Sequence, residues 1–226
     1  DITDLDVVSW MKSEMRLMLD EEIARAILIG DGRGIMDNDK INETNIRPIA
    51  HDDNLYAHKV TVPANVSPAN LIERMIRERK NYTGSGSTTL FTTEENLIDM
   101  LLIKDKIGRR LYNTEAELAS ALRVSKIVVV EVMETTPDLL GIIVNLNDYT
   151  VGADKGGQVS MFDDFDIDFN QNKYLMETRI SGALIKPKAA LVFKRDQGTE
   201  VTPTEPQQNN GRTDCAKQDW SNLQSR

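Results

Sequence analysis

The chain has 226 residues, 40% of them hydrophobic, which is enough to fill one large domain or two smaller ones. A formal net charge of −9 argues against a protein that grips nucleic acid through its phosphates, because such binding needs a surplus of Lys and Arg. The single cysteine, Cys215, excludes an intrachain disulfide framework, and neither a membrane-spanning apolar run nor a signal-peptide pattern is found. We expect a soluble protein.

The first predicted element is a long amphipathic helix that ends at the turn Gly30-Asp31-Gly32. Thr3 and Asp6 form a possible capping box at its start, and Gly30 stands where a left-handed C-terminal cap is expected. Apolar residues recur at three- and four-residue spacing, so they form one stripe that we expect to be buried against a large surface. The stripe consists of Val8, Met11, Met15, Met18, Leu19, Ile23, Ala26 and Ile27.

A polar stretch, residues 37–54, follows as a predicted long loop, and a short strand around Val60 and Val62 comes after it. Ser67 and Pro68 then open a second predicted helix. The Gly/Ser-rich run 83–87 predicts a flexible loop. The residues expected on the buried face of the second helix are Leu71, Ile72, Met75 and Ile76.

The middle of the chain predicts a mixed α/β arrangement. Residues 88–92 read as a buried strand, followed by a short helix whose capping box is Thr92 with Glu95. A second capping box, Thr114 with Glu117, opens another helix. Two β-branched or apolar runs, 127–133 and 139–146, are predicted strands, and the first has the pattern of a central strand.

The last third predicts antiparallel strands. Phe165, Ile167 and Phe169 alternate with acidic or amide residues, a period of two that is typical of a strand with one wet face. A partner strand is expected at 174–180 across the turn 170–172, and a further strand at 183–193 with a bend at Pro187. From Arg195 onward the composition is polar, and residues 196–226 are predicted to be a disordered tail.

Few residues point to chemistry. His51 and His58 lie in or beside the polar loop and lack the spacing of a metal site. The segment 30–34 (GDGRG) resembles a phosphate-binding glycine loop. It follows a helix, however, whereas such a loop precedes one, and we interpret it as a helix C-terminal turn.

Two charged segments also allow a functional and a structural interpretation. Asp163, Asp164, Asp166 and Asp168 could form a calcium loop, but the alternating apolar residues favour a strand. The run 104–110 (KDKIGRR) is predicted to be a solvated surface turn. We therefore assign no catalytic, cofactor-binding or metal-binding residue from the sequence.

Three segments, taken in order, resemble the major capsid proteins of tailed bacteriophages, which have the Hong Kong 97-like capsid fold. Residues 26–32 (AILIGDG) resemble the end of that family's spine helix. Residues 101–112, with Lys104-Asp105 and Gly108-Arg109, resemble its helix and charged turn. Residues 179–193 (RISGALIKPKAALVF) are similar to its closing strands, and the resemblance covers about residues 4 to 195.

The resemblance implies an α+β fold with two domains. The peripheral domain would comprise 1–30 and 156–195, with the long spine helix packed on antiparallel strands, and a mixed α/β axial domain would comprise 31–155. In that family an N-terminal arm and an extended loop precede the spine helix. This chain begins almost at the helix, so we expect both segments to be missing from it.

The function implied is structural and not enzymatic, with no cofactor. The resemblance implies a subunit of a tailed-phage or prophage capsid that assembles with itself into pentamers and hexamers, tiling an icosahedral shell around double-stranded DNA. Scaffold, portal or decoration proteins are further partners, whereas sequence-specific nucleic acid and membranes are not. The expected location is the virion, and the host cytoplasm before assembly.

Two alternatives remain open from the sequence. The first is an encapsulin-type nanocompartment shell protein, which would have the same fold but enclose cargo enzymes. The second is an α/β enzyme or ligand-binding module, which the GDGRG turn and the aspartate cluster would motivate.

Overall fold

The structure is a computed structural model, and it describes residues 4–34, 36–38, 40–154 and 159–196. These residues form helices and strands joined by turns and short 3-10 helices. The helices are α1 (Asp4–Leu28), α2 (Pro68–Glu78), α3 (Glu94–Leu101) and α4 (Glu115–Leu122). The strands are β1 (Ala57–Val62), β2 (Thr89–Thr92), β3 (Lys126–Val129), β4 (Leu139–Val144), β5 (Tyr149–Ala153), β6 (Ser160–Asp166), β7 (Gln171–Glu177), β8 (Ile180–Leu184) and β9 (Ala190–Arg195).

A five-stranded mixed sheet holds the core, in the order β1-β9-β4-β2-β3. β1 is parallel to β9 and β2 is parallel to β3, whereas β4 is antiparallel to both of its neighbours. One face packs against α2, α3 and α4 around Met75 and Leu118, and the opposite face packs against the end of α1 and the loop at Ile49. Every residue of β4 is buried because both of its faces are covered.

Two further pairs of strands, β5 with β8 and β6 with β7, form separate two-stranded sheets. Both pairs are antiparallel, as predicted for the last third of the chain, although β9 in the same third is parallel to β1. Pro187 lies between β8 and β9, so the predicted bent strand at 183–193 is two strands in different sheets. The reason is that Pro187 and the positive φ of Lys188, 52°, interrupt the extended backbone.

The end of α1 is as predicted. The backbone N–H groups of Ile29 and Gly30 both donate to the carbonyl oxygen of Arg25, and Gly30 has a φ of 88°, which closes the helix in the left-handed conformation. Thr3 and the side chain of Asp6 lie outside the described residues, so the predicted capping box is not described.

The predicted burial of the stripe on α1 is wrong for most of its length. Met11, Met15 and Ile23 are half-buried, and Met18 is 60% exposed. The one buried residue of the stripe is Ala26, which lies near the C-terminal end of the helix. The reason lies in the length of the helix, since 25 residues span about 38 Å. Its main contact with another named element is the 3-10 helix at Glu131–Thr135, so the upstream turns lie beyond the core of this chain.

The helix starts were predicted closely from local sequence. Ser67 caps α2 by accepting from the backbone N–H of Asn70, and Thr114 caps α4 by accepting from that of Glu117. The predicted cap of α3 is one residue early, because Thr93 accepts the hydrogen bond from Asn96 while Thr92 is the last residue of β2. On α2 the predicted face is buried except for Ile76, which is 37% exposed.

The run predicted as a central strand is instead an edge strand. Among the described strands β3 pairs only with β2, and it ends at Val129, after which the chain turns into the 3-10 helix. The β-branched composition of this run indicates a strand, but strand position in a sheet depends on distant partners. Here β4 and β9, which come later in the chain, occupy the centre.

The hairpin of β6 and β7 turns earlier than predicted. Asp166 pairs with Gln171, so residues 167–170 form the turn, and Asn170 has a φ of 50°. Ile167 and Phe169 therefore lie in the turn and not in the strand. The positive φ explains the shift, because Asn adopts the left-handed conformation more readily than most residues.

Hydrogen bonds hold the Gly/Ser run at 83–87 against the core. The Ser85 N–H and hydroxyl donate to the two carboxylate oxygens of Asp148 at 2.7 and 2.5 Å, and Lys186 donates to the same carboxylate at 2.8 Å. A Cβ on Gly84 would lie 2.8 Å from Asp148, so only glycine fits this approach. The composition predicted flexibility, but a buried carboxylate orders the loop.

Candidate subunit interface

The β6–β7 hairpin leaves apolar side chains uncovered. Residues that lie opposite each other in an antiparallel pair share a face, and Phe162 lies opposite Leu175. The exposed fractions are 52% for Phe162 and 58% for Leu175. At the turn the exposed fractions are 83% for Ile167 and 72% for Phe169. Single exposed apolar residues are ordinary, but a group on one hairpin marks an interaction surface.

The other face of the hairpin is turned toward α1. Tyr174 lies on this face, and the Lys12 ammonium group is 5.3 Å from the centroid of its ring, a cation–π contact between α1 and β7. Met161 and Met176, which are paired on the same face, are half-buried. The structure thus places the long helix beside antiparallel strands, as predicted, with the layer only partly covered.

The upstream half of α1 is a second open apolar surface. Trp10 and Leu17 are 65% and 54% exposed, and both lie outside the stripe that the spacing predicted. Farther along, a groove of about 610 Å³ separates Leu17 and Ala24 from the segment that follows the edge strand β3, including Val130 and Val132. The apolar surface of α1 is therefore broader than one stripe, and the described residues do not fill the groove beside it.

The charged segment after α3 forms an ordered turn, which we call the basic turn (residues 102–111). Asp105 and Arg109 are joined by a backbone hydrogen bond, Gly108 has a φ of 86°, and the Leu111 N–H donates to Ile103. Ile107 is 75% exposed. The prediction of a surface turn is confirmed, and the structure adds that the turn has a defined conformation and carries an apolar tip.

The GDGRG turn serves to anchor the chain that follows α1. Burial alone would raise the pKa of the Asp31 carboxyl, but hydrogen bonds from Lys40, Ile41 and Arg33 outweigh it and hold the pKa below its ordinary value. The Lys40 ammonium lies 2.5 Å and the Ile41 N–H 2.7 Å from the carboxylate. The Asp31 carboxylate therefore holds the following residues in place by accepting their hydrogen bonds. This role agrees with the interpretation of GDGRG as a helix C-terminal turn.

The remaining candidates are not brought together into a site. Asp163, Asp164 and Asp166 lie on β6, as the strand interpretation predicted, while Asp168 is in the turn. His58 Nε2 is 3.3 Å from the Asn81 amide and faces Glu78. Across the described ranges, no three His, Cys, Asp or Glu side chains are grouped as a metal would require.

The sequence patterns missed the residues that matter most for an interface. No local signal distinguishes an apolar residue that faces a core from one that faces a partner, because both give the same periodicity. Among the helices within the described ranges, none is long and apolar enough to cross a membrane.

The comparison with protein families identifies one family. A family model described as the phage capsid family matches residues 1–194. No curated protein matches the chain. Among solved structures, the capsid of an empty GTA particle has a TM-score of 0.56 at 14% identity, covering 86% of this chain and 68% of that chain.

Two phage structures are similar to the same extent. For Gordonia phage Cozz the TM-score is 0.53 at 14% identity, with 84% of this chain and 64% of that chain covered. For Mycobacterium phage Cain the TM-score is 0.57 at 9% identity, with 87% and 68% covered. At these identities the likeness establishes the fold, and the chain spans about two thirds of the length of these proteins.

The predicted α+β fold of the Hong Kong 97-like type is thus confirmed, with a long helix beside a hairpin and a mixed sheet covered by short helices. The resemblance seen in the three motifs is also confirmed, since the family model spans all of them. The chain belongs to the phage capsid family, and it is a structural protein of the virion.

Proposed function

We propose that this subunit assembles with itself into pentamers and hexamers, which tile an icosahedral shell around double-stranded DNA. The observation that carries the proposal is the layer of α1 and the β6–β7 hairpin, whose apolar side chains stay uncovered in a single chain. The described residues bury two large apolar clusters yet leave this layer open, and a group of exposed apolar residues on one layer is typical of a surface that neighbouring subunits cover.

The geometry favours rings over a two-fold dimer. The open surfaces lie on different segments, α1, the hairpin and the basic turn, so a contact between two of them joins unlike patches. Such head-to-tail contacts close into rings when the rotation between subunits permits, and pentamers and hexamers are rings of this type. We propose no catalytic step and no cofactor. Scaffold, portal or decoration proteins would be further partners, in the host cytoplasm before assembly.

Two structural units would serve this assembly. The sequence-based division into a peripheral domain (1–30 and 156–195) and an axial domain (31–155) remains a prediction. Strand pairing supports a revised boundary, because β9 pairs with β1 and β4, and β8 pairs with β5. We propose that the peripheral unit is α1 with the β6–β7 hairpin, and that β8 and β9 belong with the axial unit.

The test compares this chain with the complete reading frame that contains it. We expect the chain alone to remain a monomer or small oligomer at micromolar concentration, and the complete product to form closed particles, by sedimentation velocity and negative-stain microscopy. Particles isolated from the source organism should contain nuclease-protected double-stranded DNA. Failure of the complete product to assemble under any scaffold or salt condition would refute the proposal.

A further inference from the structure

Two exposed apolar surfaces of this chain carry opposite charge. The first, the hairpin surface (residues 160–177), carries Phe162, Ile167, Phe169 and Leu175, exposed by 52 to 83%. The second is the basic turn (residues 102–111), where Ile107 is 75% exposed and Leu102 and Leu111 are 47% and 52% exposed. Each surface combines an apolar centre with a charged rim, the composition of a protein interface.

The charges on the two surfaces are complementary. On the face of Phe162 and Leu175 and at the turn, the hairpin surface has four carboxylates, from Asp164, Asp166, Asp168 and Glu177, against the single cation Lys173, so its net charge is −3; Asp163 lies opposite Tyr174 on the other face. The basic turn has four cations, Lys104, Lys106 and two Arg, against Asp105, so its net charge is +3. Complementary charges at the rim orient two surfaces and raise the rate of their association.

Most charges of the two surfaces have no ion-pair partner among the residues that the structure describes. Lys173 forms an ion pair with Asp166, but across the described residues the ion pairs include no partner for Asp168 or Glu177. The same holds for the side chains of Lys106 and Arg110, which are exposed. The two surfaces therefore do not neutralise each other inside one subunit, and the charges are available to another molecule.

We propose that the hairpin surface of one subunit docks on the basic turn of a second copy of this chain. The contact joins unlike patches, so each subunit offers one of each and the contact can repeat around a ring. The ordered backbone of the basic turn favours this role, because a preformed turn loses little conformational freedom on binding. The inference rests on the proposed function and names the surfaces that carry it.

Charge swapping in the 226-residue chain tests the contact. In Lys106→Glu/Arg110→Glu both surfaces are acidic, and in Asp168→Lys/Glu177→Lys the hairpin surface loses its negative charge. We expect each variant alone to lose self-association by roughly tenfold or more at low salt, measured by sedimentation velocity at high protein concentration. An equimolar mixture of the two should regain it, because the unchanged hairpin surface of the first variant then meets the unchanged basic turn of the second.

Matched controls separate the contact from net charge. Lys59→Glu/Lys126→Glu and Asp99→Lys/Glu134→Lys make the same charge changes at exposed positions outside both surfaces and outside α1. These variants should associate like the unchanged protein, and all variants should keep its melting temperature. Equal loss in the controls, or a mixture no stronger than its components, would overturn the proposal.

Cross-linking gives a second readout that does not depend on variants. Zero-length carbodiimide coupling of a mixture of ¹⁴N- and ¹⁵N-labelled chains should yield peptides of mixed label that join Lys104 or Lys106 to a carboxylate of residues 160–177. Absence of such peptides, or absence of any self-association at millimolar concentration and low salt, would contradict the docking. Shell formation by the complete product is scored separately, so the assembly proposal can stand if this contact fails.

Discussion

Replacing Gly182 with Ala should destabilise the chain through a clash with one aromatic ring. Gly182 lies on β8, opposite Val151, and a Cβ there would lie 2.5 Å from Tyr149 Cε1 and 2.6 Å from its hydroxyl oxygen. The Tyr149 ring is buried, and its hydroxyl donates to the carbonyl oxygen of Arg47 at 3.2 Å. The ring cannot move out into solvent to avoid the new Cβ without breaking this hydrogen bond.

The magnitude follows from three contributions. Forcing extra volume into a packed site costs about 1–3 kcal/mol, and the lost hydrogen bond of Tyr149 costs about 1 kcal/mol. Replacing glycine within a strand returns about 0.5–1 kcal/mol, because the unfolded chain has less freedom to lose. We expect Gly182→Ala to lower the free energy of unfolding by about 2 kcal/mol, or roughly 4–8 °C in melting temperature.

Urea unfolding followed by circular dichroism measures the effect, and a double-mutant cycle assigns its cause. In a Tyr149→Ala background the ring is gone, so Gly182→Ala should cost little or become stabilising. Gly34→Ala is the control, because its Cβ would have its nearest contact at 3.4 Å, from Asp37. An unchanged cost in the Tyr149→Ala background, or no cost in the original chain, would refute the steric argument.

Three further predictions follow from burial, capping and titration. Phe193→Ala, fully buried in β9, should cost about 3–5 kcal/mol in urea unfolding, whereas Ile76→Ala on the exposed side of α2 should cost under about 1 kcal/mol; similar costs would contradict the core assignment. Ser67→Ala removes the cap of α2 and should cost about 1 kcal/mol, with Ser67→Asp as the rescuing variant. Burial would raise the pKa of Asp148, but hydrogen bonds from Lys186 and Ser85 outweigh it and lower the pKa below 3.8. The stability from this group is therefore present above about pH 4 and declines as the pH falls through the lowered pKa; Asp148→Asn should flatten that decline, and an unchanged pH profile would show that the carboxylate has no such role.

The end of α1 and the starts of α2 and α4 could be predicted from the sequence, because they depend on residues within one or two turns. Gly30 ends α1, and Ser67 and Thr114 begin α2 and α4, through hydrogen bonds to nearby backbone groups. The order of three motifs likewise pointed to the phage capsid family, whose family model matches residues 1–194.

Tertiary structure alone decided which strand is central, which loop is ordered and which apolar residues stay exposed. β3 is at the edge of the sheet because β4 pairs with the other side of β2, and β9 then lies between β4 and β1. The loop at 83–87 is ordered because Asp148, more than sixty residues later in the chain, accepts its hydrogen bonds. Phe162 and Met75 are equally apolar in the sequence, yet one is 52% exposed and the other fully buried. Periodicity indicates which face of a helix or strand is apolar. Whether that face is buried by the same chain or by a partner depends on how distant segments pack.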